Sequence, residues 1–460
     1  MNQENASAES EDDAFGLPPQ IFDDVLDAVE SLDAEALGLL LDPLHAADIA
    51  DLLEQMTLRD RKALLTLWRG GMDGDILTEL DDNLREEVIE SLSRAELASA
   101  VGSLDSDDVV DLVEDLDQDQ QEAVLGALPA MDRVAVEKAL AYPEDSAGRL
   151  MQVECVRAPE HWTVGEAIDY LRSDAAALPD QFYHIDLIDP RIRPLAYVTL
   201  GRVLSSARTV RLRDIVEDSF RTFHVNDDQA AVAYAFNQYH LISAPVVDDN
   251  DRLVGVITID DAMIVLDEEH EEDMLLLAGV GESTLSDSVA ETVRRRVPWL
   301  LVNLLTAGLA ALVIAQFEGT IEALVALAVL MPIVASMGGN AGTQSLTVVV
   351  RALATKDLRR SNTWRVIRRE ALVGLANGFT LAILLGSVTA LLFWSVPLGA
   401  VIAAALVINL LVASLAGTLI PILLDRAGVD PALASGTFVT TVTDVVGFLA
   451  FLGLATMVLL

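Results

Sequence analysis

The 460 residues predict a multidomain membrane protein: an all-α superhelical N-terminal domain, an α/β domain of paired repeats, a connecting helix and a transmembrane domain of five α-helices. Three observations carry that prediction. Charge divides the chain: 72 Asp+Glu against 30 Lys+Arg give a net −42, yet residues 297–460 hold only 7 acids and 8 bases, leaving 65 and 22 before Val297. Hydropathy follows the same division, and the mean for the whole chain is +0.39 despite its acidity, as a chain with membrane spans requires. The third observation is an internal repeat within the acidic part. The apolar runs exclude a purely soluble enzyme. Nucleic-acid binding is excluded by the lack of clustered Lys and Arg, which phosphate neutralisation needs.

Residues 1–19 read as a disordered acidic terminus; MNQENASAESEDDAF has neither the basic stretch nor the short apolar run of a cleavable signal. The N-terminal part is therefore expected in the cytoplasm, and the single Cys155, which has no intramolecular partner, suits reducing surroundings. Residues 20–142 form short amphipathic pieces such as IFDDVLDAVESL, HAADIADLLEQM and SDDVVDLVEDL, with Leu and Ala at helical spacing. Pieces of this kind pack as a helical superhelix. They supply no catalytic constellation, so no enzymatic activity is expected.

From 143 to 262 strands alternate with helices. HIDLIDPRIRPLAYVTL from His184 aligns with SAPVVDDNDRLVGVITI from Ser243 at an offset of 59, pairing Asp189 with Asp248, Arg193 with Arg252 and Thr199 with Thr258. Upstream, APEHWTVGEAI aligns with HVNDDQAAVAY at an offset of 66, which places a seven-residue insertion near DAAALPDQ in the first copy. Two strand–helix–strand–strand–helix units in tandem look like a CBS module, a cytosolic sensor that often dimerises and can bind nucleotides.

Residues 263–296 are the connecting segment, with Asp267, Glu268, Glu269, Glu271, Glu272 and Asp273 crowded on a predicted helix. Like charges three and four residues apart repel by a few tenths of a kcal/mol (roughly 0.2–0.5) per pair. A charge run alone is ordinarily a solvated face. Its position between a sensor and a membrane domain points instead to a cation-responsive joint.

A hydrocarbon core of ~30 Å needs about 20 residues of helix, and five apolar stretches suffice, at about 298–317, 323–350, 371–394, 396–424 and 431–460. Arg294, Arg295 and Arg296 precede the first; Arg351, Lys356, Arg359, Arg360, Arg365, Arg368 and Arg369 surround the connection between the second and third. Both belong in the cytoplasm. The connections at Glu318 and at Val396 and Pro397 then lie outside, as does the C-terminus, with membrane lipid around the helices.

An ionisable side chain near the bilayer centre costs at least ~2.5–3.5 kcal/mol, which makes it an ion or proton site by default. Asp444, about 13 residues into the fifth helix beside Thr440, Thr441 and Thr443, is the one acid expected that deep. A carboxyl merely hydrogen-bonded between helices is the plainer alternative. MPIVASMGGNAGTQS (331–345) interrupts an apolar span with a proline, three glycines, Asn340, Thr343, Gln344 and Ser345. It is expected to bend or unwind its helix and expose carbonyls to a conduction path, or else to supply small residues for close packing. Oxygen ligands alone favour a hard cation, and Mg²⁺ keeps much of its water, so one carboxylate per chain suits it. In a symmetric dimer two such carboxylates would face each other on the axis.

MPIVASMGGNAGTQS followed by RALATKDL, and GVDPALASGTFVTTVTDVVGF, resemble the MgtE family of magnesium channels and its related animal carriers. The resemblance covers nearly the whole chain in order. It implies a homodimer in the plasma (inner) membrane, with a Mg²⁺ pore between subunits that closes when cytoplasmic Mg²⁺ is abundant. It places a hydrated Mg²⁺ on Asp444, with Asn340 and the carbonyls of Ala432 to Gly436 near the same path. Regulatory Mg²⁺ contacts carry over onto Asp228, Asp261, Glu269, Glu272 and Asp273, and ATP in the CBS cleft is a further expectation. Three positions depart from the family pattern: His240 and Ile264 stand where acids are common, and Thr437 where a proline is common. Two other readings remain open: a proton- or Na⁺-coupled divalent-cation carrier, and a membrane-tethered sensor without transport.

Overall fold

The computed structural model describes residues 17–460 apart from 115, 174–177, 180–181 and 280–288. It divides into two compact units, one ending at Leu266 and the other beginning at Asp267. The expected disordered terminus lies outside the described residues up to position 16, and helix begins at Pro19.

In the first unit ten short helices, α1 (Pro19–Ser31) to α10 (Ala130–Ala139), build the predicted all-α domain. Their ends are set locally. Thr57 caps one helix, and capping boxes Ser93/Glu96 and Asp117/Gln120 close the N-termini of two others, each satisfying backbone N–H groups that no helical carbonyl can reach. Leu37, Leu41, Leu52, Leu53, Leu64, Leu77, Leu112 and Val124 form one continuous core. Each such buried side chain contributes about 1.5–3 kcal/mol. A single turn, α11 (Ala147–Leu150), leads into the repeat domain.

The repeats have the predicted pattern. β1 (Arg157–Pro159), α12 (Val164–Ser173), β2 (His184–Ile188), β3 (Pro194–Thr199) and α13 (Leu200–Ser205) make the first; β4 (Phe223–His224), α14 (Gln229–Tyr239), β5 (Ser243–Val247), β6 (Leu253–Thr258) and α15 (Ile259–Ala278) make the second. Each sheet pairs its first strand parallel and its hairpin antiparallel, in the orders β1-β2-β3 and β4-β5-β6. The symmetry reaches single atoms. Asp189 Oδ1 accepts from the N–H groups of Arg191 and Arg193, and Asp248 Oδ1 from those of Asn250 and Arg252. Ile192 and Asp251 hold the matching left-handed positions, with φ of 63° and 59°. The two hairpin turns meet where Leu253 N–H donates to Ile192 O at 2.8 Å. Part of the expected insertion near DAAALPDQ lies outside the described residues.

The connecting helix begins earlier than expected: α15 starts at Ile259, directly after β6, and the unit boundary falls inside it. Among the described residues of the second unit five helices have membrane length and composition. They lie in α16 (Val289–Ala315), α18 (Ala326–Ala354), α19 (Thr363–Leu392), α20 (Val396–Arg426) and α21 (Pro431–Leu459), with the short α17 (Glu318–Ala323) after the first. Arg294 to Arg296 belong to the first turns of α16, and α19 begins eight residues before the predicted third span.

A larger correction concerns 331–345. It stays α-helical throughout α18, Pro332 included. Two of its three glycines, Gly338 and Gly342, serve close approach, the alternative reading, because helices in lipid gain no hydrophobic drive from touching and associate through van der Waals contact. A Cβ on Gly338 would overlap the Asn409 side-chain amide of α20, and one on Gly342 would lie 2.5 Å from Val439 Cγ1 of α21.

Candidate functional site

Asp444 lies midway along α21 and is half-buried. Its threonine neighbours do not serve it. Thr440 Oγ1 donates to Gly436 O and Thr437 O, Thr441 Oγ1 to Thr437 O, and Thr443 Oγ1 to Thr440 O, all within the helix. Threonine at position 437 keeps the N–H that proline would lack, and α21 runs unbroken through it. Asp444 itself makes no hydrogen bond or ion pair among the described residues, so the interhelical hydrogen bond of the plainer alternative is not formed. A carboxylate in a membrane-length helix with no protein donor is suited to a hydrated cation.

The helix crossing beside it is tight. Gly342 packs on Val439 and Thr443, the latter fully buried next to Asp444. Asn340 is exposed; two residues from both Gly338 and Gly342, it lies about 200° around α18 from the packed face. Within one chain it makes no hydrogen bond to Asp444.

Two buried polar residues escaped the sequence reading. Asn409 of α20 is fully buried, donates through Nδ2 to Val334 O at 2.9 Å, and wedges between Gly338 of α18 and Gly447 of α21. Glu370 of α19 is 7% exposed and accepts from Ser345 Oγ at 3.0 Å. Asp444 is therefore not the single buried acid of the second unit; Glu370 looked like a loop residue while the third span was taken to begin after it. The two bonds hold α18 near the start and end of 331–345.

The acidic residues of the first unit form a cluster of their own. Asp105 and Asp107 and Asp108 at the start of α8 (Ser106–Glu114) approach Asp261 of α15. Burial, then the charge of Asp261, raises Asp107 well above the ordinary carboxylate value. Burial followed by Asp261 and Asp105 raises Asp108 to about 7. Burial also raises Asp261 to about 6, against hydrogen bonds from Thr258 and with Asp260 and Asp105 adding to the rise. Acids held in this way attract a hard cation. No three His, Cys, Asp or Glu side chains among the described residues yet converge as a ligand set. Asp107 and Asp108 were legible only as DSDD (105–108) at a helix start, a pattern that usually reads as capping.

Asp228 does cap a helix: its Oδ1 accepts from Ala231 N–H at 2.9 Å at the head of α14. His240 closes the same helix in the left-handed conformation, φ 54°. In the second unit Glu269 and Asp273 are half-buried and Glu272 is exposed. Burial and the nearby Asp430, N-cap of α21, raise Asp273. Leu276 of α15 packs with Leu346, Val350, Ala432 and Val439, so this end of the connecting helix rests on the membrane helices.

Between the repeats a cleft is lined by Gln152, Cys155, Tyr183, His184, Asp186 and Ser243, among others. Asp186 is 1% exposed, and its Oδ1 has no hydrogen-bond partner among the described residues. Burial pushes the Cys155 thiol up to about 11, so it is not a reactive thiolate.

Five membrane-length helices, one of them carrying at mid-length a carboxylate without a partner among the described residues, joined to a helical domain and a paired α/β repeat, define a multi-pass membrane protein of the cation-transporting class. Family models agree in chain order: the MgtE intracellular N domain matches residues 44–145, the CBS domain 212–268, and the MgtE divalent cation transporter 331–454. The magnesium transporter MgtE of Bacillus subtilis is 30% identical over 418 residues, covering 91% of this chain and 92% of that one. The Thermus thermophilus protein of the same name is 32% identical over 442 residues, covering 94% and 97%. A solved structure of the cytosolic domain of the Mg²⁺ channel MgtE in complex with ATP aligns with 53% of this chain and 100% of its own, at TM-score 0.50 and 27% identity. The chain belongs to the MgtE family.

Proposed function

We propose that the protein is a Mg²⁺-selective channel that admits Mg²⁺ across the plasma membrane and closes when cytoplasmic Mg²⁺ is abundant. The observation that carries this reading is Asp444, a half-buried carboxylate in a membrane-length helix without a donor among the described residues. Relatives of the same architecture named as magnesium transporters support the choice of ion. A hydrated Mg²⁺ needs few direct carboxylates, and two copies of Asp444 on the axis of a homodimer would supply a matching charge. That assembly also gives the exposed Asn340 a place beside the path. The basic residues at the heads of α16 and α19 support an orientation with the N-terminal domains in the cytoplasm and the C-terminus outside.

Closure is assigned to Asp228, Asp261, Glu269, Glu272 and Asp273, joined by Asp107 and Asp108. These carboxylates repel one another unless counter-charge is present, so a compact arrangement of the acidic part is favoured only when cations are available. Proposed for the CBS cleft is a nucleotide such as ATP, supported by the ATP-bound relative and by Asp186 Oδ1, which lies 3.5 Å from His184 Nε2 and accepts no hydrogen bond among the described residues.

Mg²⁺ uptake into proteoliposomes is the test, with Asp444→Ala alongside. Wild-type uptake that follows the Mg²⁺ gradient and vanishes in the variant is expected. Uptake by the variant at the wild-type rate would overturn the assignment, and currents whose reversal moves with the proton or Na⁺ gradient would make the protein a coupled carrier.

A further inference from the structure

We propose that the cytoplasmic end of α19 is a binding site for the headgroup of an anionic phospholipid, held by Arg365, Arg368 and Arg369. These three side chains line an open groove of about 620 Å³ together with Trp364, Leu372, Val373 and Ala376. Residues 364, 365, 368, 369, 372, 373 and 376 share one exposed face of the helix, charged over its first two turns and apolar below. That is the profile of a phospholipid: a phosphate at the boundary and acyl chains beneath it. Trp364, 69% exposed at the start of the span, occupies the interfacial position that indole favours.

Two features separate this site from a general surplus of cytoplasmic bases. The patch keeps its full charge, because none of the three arginines forms an ion pair among the described residues. Glu370, the acid adjacent in sequence, is turned to the buried face and engaged by Ser345 Oγ. The groove also continues into apolar surface, which a soluble phosphate or an acidic peptide would leave uncovered at membrane depth. Guanidinium groups suit a phosphodiester through paired N–H donors, and a basic residue near the surface enriches an anionic lipid by roughly fivefold. The inference holds whichever ion the protein moves.

Trp364 supplies the probe. The full-length protein is reconstituted in phosphatidylcholine vesicles containing equal fractions of either brominated phosphatidylglycerol or brominated phosphatidylcholine, and the Trp364→Phe variant is used to isolate the Trp364 emission. Stronger quenching by the anionic lipid is expected, lost in R365Q/R368Q/R369Q, retained in the triple lysine variant, and unaffected by excess inorganic phosphate. Equal quenching by the two lipids, or a preference that survives the glutamine variant, overturns the proposal. So does displacement by phosphate, which makes the site one for the free anion, and so does the absence of quenching by either lipid, which puts protein over the groove.

Discussion

Gly338 and Asn409 show how a single missing side chain is used. The Asn409 amide fills the space where a Cβ on Gly338 would stand and bonds to the carbonyl of Val334 one turn earlier. Gly338→Ala should destabilise the membrane unit by about 1–3 kcal/mol, the usual cost of overpacking a well-filled site. Asn409→Ala should cost about 1 kcal/mol for the lost bond. Because the two share one volume, the double variant should lose less than the sum. Unfolding in detergent of the four proteins checks this, and strict additivity would mean that the pair does not interact. None of it was legible in the residues alone: GGNAG announces small side chains, but the partner that needs the space lies about seventy positions away. Glu370 teaches the same lesson, since only the packing of α19 on α18 turns it inward.

The meeting of α8 with α15 carries the pH dependence. Asp108, Asp107 and Asp261 bind protons more tightly folded than unfolded, because burial and mutual repulsion penalise their charged forms. Their neutral forms therefore favour the fold at low pH, and that advantage is lost as pH rises through the folded values of about 6 and 7. Asp108→Asn should raise the melting temperature at about pH 8 in chelator, by on the order of 1–2 kcal/mol of stability, and the gain should shrink toward zero by about pH 4. A melting temperature for the variant at or below wild type across that range would refute the assignment. Mg²⁺ should stabilise wild type at the higher pH more than the variant. The repeat elements were the most legible part of the chain, since the 59-residue offset reappears in β2/β5, β3/β6 and both Asx turns. The approach of α8 was not, because distant acids show no periodicity.

At the scale of the whole molecule the excess of −43 in the first 296 residues is a self-repelling charge held by a chain whose remainder is nearly neutral. Replacing Glu269, Glu272 and Asp273 by their amides removes three charges from the connecting helix. If these residues hold the regulatory ions, the altered protein should conduct at cytoplasmic Mg²⁺ concentrations proposed to close wild type, because Mg²⁺ could no longer favour the closed arrangement through contacts at that helix. Patch recordings over a Mg²⁺ series check this; an unchanged inhibition curve would remove the helix from the gate. α16 exposes Leu300, Leu301, Leu304, Leu305 and Leu312, an apolar face that calls for lipid or a second copy of the chain.

Composition and order were decided by the sequence: the charge division, five spans, the doubled repeat, Asp444 at mid-helix and the family motifs all follow from local residue chemistry and short periodicities. The tertiary structure alone decided that 331–345 stays helical, that Asn409 and Glu370 brace it, and that Asp107 and Asp108 join Asp261. The physical reason is that burial and electrostatic repulsion depend on distance in space, and residues far apart in the chain become neighbours only once the helices have packed.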